Sequence, residues 1–153
     1  MVLAKNDEYP EFNSTSSFIN IEAMDSHGGW KATAKDLAKL LVAIGPGSDY
    51  HLLHKESIEL MCKGSEANPN YGLGWFLNSK GSCWHTGSLN NCSTFMARLS
   101  TGVCAVVLFN ARPDDPEYFK ELDSVIWKGV KNIKAWPSTD EFIEKPSTVA
   151  AHL

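Results

Sequence analysis

The residues that could do chemistry in this chain gather in one short run, Trp84-His85-Thr86-Gly87-Ser88-Leu89. It sets an imidazole, a hydroxyl, a position without a side chain and a second hydroxyl side by side. Histidine is the residue type used to tune a local field or relay a proton near neutral pH, and His85 is the imidazole of this run. Two other groupings have suggestive residue types. Asp25, Ser26 and His27 contain the types of a hydrolytic triad, but sequence neighbours rarely point at one another, and a triad is recognised by geometry. Cys83 and His85 share a strand face, with Cys92 nearby, yet no fourth ligand and no zinc spacing accompany them. No metal and no cofactor is therefore expected. Cys92 and Cys104 read as small hydrophobes in a sheet, and Trp75, Phe76 and Trp84 as core or cleft wall.

The elements that must position this run follow from periodicity. Leu37, Leu40, Leu41 and Ile44 fall at i, i+3, i+4 and i+7, which predicts a helix over Thr33 to Ile44. Thr33 suits the N-cap, with Asp36 three residues later. A shorter helix is expected over Lys55 to Cys62. The pattern then changes to strands over Tyr71 to Leu77, Ser82 to Thr86, Cys92 to Leu99 and Val103 to Phe109. Gly72 and Gly74 in the first of these mark close backbone approach or strong twist. The last is apolar throughout, the signature of a strand covered on both faces. Ser100-Thr101-Gly102 makes a hairpin turn. Asp115-Pro116 reads as cap and first turn of a final helix, whose face is traced by Phe119, Leu122, Ile126, Val130 and Ile133. Phe18 to Ile21 alternates like a short strand. Helices before and after a run of antiparallel strands define an α+β domain. The expected division is an irregular segment over 1–26, the domain proper over 27–136 and a polar tail over 137–153.

Composition narrows the function classes. A net charge of −4 with no basic cluster argues against nucleic acid as partner. The longest apolar runs, Leu40 to Ile44 and Val103 to Phe109, are too short to span a bilayer, so a soluble chain without a membrane partner is expected. Four scattered cysteines are too few for a disulfide scaffold of this size. They imply free thiols in the cytoplasm or another reducing compartment.

Several segments, taken in order, resemble the C-terminal region of the serine β-lactamase and penicillin-binding-protein-like hydrolases, in the class C, esterase-type branch. Gly28-Gly29-Trp30 leading into Thr33-Ala34-Lys35-Asp36-Leu37 resembles that family's Gly-Gly turn and Ser/Thr-x-x-Asp-Leu helix. Leu52-Leu53 and the helix after it, Tyr71-Gly72-Leu73-Gly74-Trp75, and Phe109-Asn110 at the end of the last strand are similar to further family segments. His85-Thr86-Gly87-Ser88 resembles the third active-site motif in its His form. The resemblance spans about residues 23 to 136 and implies a partial β-lactamase/transpeptidase-like fold with an antiparallel sheet flanked by helices. It implies a cleft wall formed by His85, Thr86, Gly87 and Ser88. The Ser88 amide would be half of an oxyanion hole, Gly87 would leave room for substrate, and Thr86 would offer its hydroxyl to a substrate carboxylate or carbonyl. His27 would stand at the cleft rim.

The family's nucleophile motif, Ser-x-x-Lys, does not occur in these 153 residues: no Lys has Ser three positions before it. A Tyr-x-Asn motif is also absent. The family's first helix and first two strands have no counterpart here, which would leave strand Val103 to Phe109 as an apolar edge. The expectation is a part of a serine hydrolase for an ester, amide or peptide, completed by an N-terminal half. Residues 14–22 as a substitute strand, a second copy or partner chain, or the rest of a longer protein would cover strand Val103–Phe109, with self-association or a separate N-terminal half favoured. The alternative is a stand-alone, non-catalytic binding or assembly module on the same fold.

Overall fold

The computed structural model describes residues 2–3, 21–45, 52–89 and 91–138. Strand β1 (Val2–Leu3) pairs antiparallel with β2 (Trp30–Lys31). Between them lie α1 (Ile21–Met24) and a 3-10 turn over Asp25–His27. Ile21, the end of the expected Phe18–Ile21 strand, opens a helix instead, and 18–20 lie outside the described residues. Gly28 closes the turn at φ +131° with its amide donating to the Asp25 carbonyl. That conformation favours glycine.

Helix α2 (Ala34–Ala43) starts as its sequence predicts. The Thr33 hydroxyl accepts from the Asp36 amide at 3.1 Å, and the Asp36 carboxylate accepts from the Thr33 amide at 3.1 Å and the Thr33 hydroxyl at 2.8 Å. This reciprocal box satisfies helix-end donors that have no partner within the helix. The same Thr33 hydroxyl, then the backbone amide, hold the Asp36 carboxyl below its usual range. Helix α3 (Lys55–Met61) follows.

Four strands form one antiparallel sheet in the order β3-β4-β5-β6: Phe76–Leu77, Cys83–Leu89, Cys92–Arg98 and Cys104–Phe109. Leu89 pairs with Cys92, and Asn91 before Cys92 takes φ +59°, a left-handed conformation that asparagine tolerates. Leu99 and Val103 close the next hairpin at 2.8 Å around Gly102. Helices with this antiparallel sheet make an α+β fold, as expected.

The main core cluster lies on one face of the sheet, and Ser93, Phe95 and Ala97 on the other face of β5 are buried as well. Leu41 and Ile44 of α2 pack with Trp75 and Cys83, joined by Met61, Cys62, Leu77, Met96, Cys104 and Val106. Leu41 is fully buried. Two strand expectations are corrected. Over Tyr71 to Leu77 only Phe76–Leu77 is strand. Gly74 takes φ +80° and Gly72 lies so close to the Met61 carbonyl that a Cβ there would collide with it, so the chain turns where a continuous strand was expected. The glycines signalled that close approach correctly. Strand β6 is not covered on both faces throughout, because Leu108 and Phe109 are each 39% exposed. Among the described residues it is the outer strand of the sheet.

Residues from Pro116 onward form a separate unit. Its helix, α4 (Tyr118–Asn132), begins after a turn at Pro116 and Glu117, two residues later than the Asp115-Pro116 signal indicates. The Trp127 indole N–H donates to the Asp123 carboxylate one turn earlier.

Candidate active-site wall

Strand β4 holds all four motif residues, His85, Thr86, Gly87 and Ser88. Its inner edge pairs with β5 along its whole length. Its outer edge meets β3 only at Cys83 and Trp84. Among the described residues, β4 has no strand on its outer side from His85 onward. Edges of this kind can accept an added strand through their backbone groups.

Alternation along a strand divides the motif between two faces. His85 and Gly87 share a face with Cys83, opposite Met96 and Thr94 of β5. Thr86 and Ser88 lie on the other face, opposite Phe95 and Ser93, both buried. The Ser93 hydroxyl donates to the Ala111 carbonyl at 2.7 Å.

The His85 ring is held by aromatic neighbours. Its Nε2 lies 3.1 Å from the Tyr71 hydroxyl. With Nε2 unprotonated the phenol donates to it; in the imidazolium, Nε2–H donates to the phenolic oxygen. Phe76 lies 5.7 Å from the His85 ring and stacks on Trp84 at 5.8 Å and 20°. Tyr71 meets Phe76 edge-on at 4.9 Å. The turn after Tyr71 makes this grouping: the Gly72 amide donates to the Trp75 carbonyl at 2.8 Å, and Tyr71 bridges to Phe76. The pair can pass a proton between an imidazole and a phenol at the open end of β4.

Gly87 sits directly opposite Thr94, and a Cβ at 87 would collide with the Thr94 hydroxyl oxygen. The space beside Gly87 on that face is thus taken by Thr94. Tyr71 and Thr94 are the two residues that reading the motif alone misses. Tyr71 lies 14 positions before its partner, and only the tight turn brings it back. Thr94 is found only through strand register. His27 ends the 3-10 turn and is exposed, in a turn that packs on α1 and β2. Among the described residues no cluster of three or more His, Cys, Asp or Glu could hold a metal. No helix there is long and apolar enough to cross a membrane.

This open-edged strand on an α+β scaffold defines the class of fold, and comparison with known families agrees. The β-lactamase family model matches residues 3–126, and the chain belongs to that family. No curated protein and no solved structure matches it.

Proposed function

We propose that this chain provides the substrate-binding wall of a β-lactamase-like serine hydrolase acting on an ester, amide or peptide. The observation that carries this reading is the outer edge of β4 beyond Trp84, flanked by the Tyr71–His85 pair at 3.1 Å. A carbonyl compound laid along that edge meets backbone donors and acceptors from Thr86 to Ser88, with the Ser88 amide as half of an oxyanion hole. His85 and Tyr71 supply a proton-relaying pair at its end. Because Ser-x-x-Lys does not occur in these 153 residues, the nucleophile comes from another segment or another chain, and the same contribution covers strand β6. A free chain would therefore bind without turning over.

Two measurements test this. The chain is incubated with a fluorophosphonate and, separately, with a penicillin, and its intact mass is recorded. No adduct is expected, whereas a stoichiometric adduct would reveal a nucleophile within the chain. Nuclear magnetic resonance spectra are then recorded while the penicillin is titrated in. Amide shifts confined to His85–Ser88 support the wall. Shifts elsewhere with none on β4 would overturn it.

A further inference from the structure

Away from the motif, at the other end of the same sheet face, three side chains meet that the proposed wall does not use. Cys62 caps the C-terminal end of α3, Cys83 opens β4 and Arg98 closes β5. Cys83 and Arg98 are direct cross-strand partners. Arg98 is only 8% exposed, and its Nη2 donates to the Cys62 sulfur at 3.7 Å. Cys83, 3% exposed, belongs to the buried cluster against which Cys62 packs. Cys62 is half-buried, so it is the less buried residue of the pair.

The consequences for reactivity are unequal. The hydrogen bond from Cys83, with the charge and hydrogen bond of Arg98, lowers the Cys62 thiol to about 6 against burial that opposes it. Cys83 is pushed up, because it supplies that hydrogen bond and is buried. A thiolate at a helix C-terminus is disfavoured by the helix dipole, and the buried guanidinium offsets this. Cys104, also opposite Arg98, behaves differently: its thiol donates to the Gly102 carbonyl at 3.6 Å, and burial pushes it up.

We propose that Cys62 and Cys83 form a peroxide-oxidisable dithiol, with Cys62 as the attacking sulfur, Cys83 as the resolving thiol and Arg98 as the cation that holds Cys62 ready. In the first step the Cys62 thiolate attacks a hydroperoxide. An S–O bond forms, the O–O bond breaks, and the departing oxygen takes up a proton and leaves as alcohol or water. Cys62 is oxidised to the sulfenic acid as the peroxide is reduced. In the second step the Cys83 sulfur attacks Cys62. The S–S bond forms, the S–O bond breaks, and hydroxide leaves with the Cys83 proton as water. Burial shields Cys83 more than Cys62, which sets the order. The loop closed by this bond, from Cys62 to Cys83, contains Tyr71 and Phe76. It is already pinned beside Cys62 by the Leu73 amide donating to the Met61 carbonyl at 3.0 Å. In a reducing compartment such a bond is transient.

The full chain is treated with limiting hydrogen peroxide, its remaining thiols are alkylated, and its peptides are mapped by mass spectrometry. The first product expected is a Cys62–Cys83 disulfide with Cys92 and Cys104 alkylated. In the Cys83→Ser variant oxidation should stop at a Cys62 sulfenic acid that dimedone traps. Without peroxide, Cys62 should alkylate at least roughly tenfold faster at pH 7 than Cys92 or Cys104. Its rate should rise through a midpoint near pH 6, moving upward in Arg98→Met. First oxidation at Cys92 or Cys104, or a wild-type Cys62 that proceeds to sulfinic acid while Cys83 stays free, would overturn the proposal. A Cys62 midpoint at the ordinary thiol value would do the same. The wild-type mapping and the Cys83→Ser arm decide the matter even if the Arg98 variant does not fold.

Discussion

The two ends of strand β4 are built on opposite principles. At Cys83 the strand is flanked on both sides, by Leu77 and Arg98, and its side chain is sealed into the core with Leu41, Ile44 and Trp75. From His85 onward β5 is its only strand partner among the described residues, and the His85 ring meets aromatic rings and the Tyr71 hydroxyl. Seven residues of one strand thus pass from a packed interior to a one-sided edge. Burial and edge exposure are thus separated along a single element, and the proposed wall falls at its open end.

That contrast can be broken most forcefully from the closed end. Leu41→Ala removes the most buried large side chain, and a loss of about 2–5 kcal/mol is expected, read from urea unfolding. A loss much smaller than this would mean that the α2 side of the core is not what holds β4. At the midpoint of the strand, Gly87→Ala forces a methyl group against the Thr94 hydroxyl. Overpacking of this kind costs about 1–3 kcal/mol. Thr94→Ala in the same chain should return most of it, and additive losses in the double variant would refute the contact. Thr33→Ala deletes half of the cap on α2, which packs on β5 and β6, and about 1 kcal/mol should go with it. The partner group adds a pH dependence. The folded Asp36 carboxyl lies below 3.8, so its contribution is complete above that ordinary value and disappears as pH falls through the lower folded one. Circular dichroism at decreasing pH should show the wild type losing stability there, while Asp36→Asn stays flat. The smallest effect on stability is expected at the open end. Tyr71→Phe removes one half-exposed hydrogen bond, about 0.5–1.5 kcal/mol, yet it should shift the His85 ring protons in nuclear magnetic resonance spectra. Unmoved ring protons would separate Tyr71 from the wall.

How much of this was readable from the chain depends on the range of each interaction. The α2 helix was legible because its stripe and its cap are local: four apolar residues at helical spacing and a Thr33–Asp36 pair three apart. The β4–β6 meander was legible because short turns join strands of opposite direction. The strand expected over Tyr71–Leu77 was found only at Phe76–Leu77, since aromatic residues there signal β-structure while Gly72 and Gly74 impose a turn whose need arises at Met61, eleven residues before Gly72. Coverage of β6 was overestimated because an apolar run states what a strand prefers to touch, not what touches it. The motif residues were visible by resemblance, but their division between two faces, and the pairing of His85 with Tyr71, depend on register and on a turn. The Cys62–Arg98 contact joins residues 36 apart in sequence, and nothing local announces it.

The stacked pair Phe76–Trp84 has an optical consequence. Trp84 lies half-buried on the strand next to His85, whereas Trp75 is sealed in the core. The two indoles therefore sit in different surroundings within one chain. If the proposed wall binds a ligand, emission from Trp84 should respond to it, and emission from Trp75 should respond to loss of the core. With the remaining three tryptophans, Trp30, Trp127 and Trp136, replaced by phenylalanine, occupancy and unfolding could be recorded in the same cuvette without any added dye.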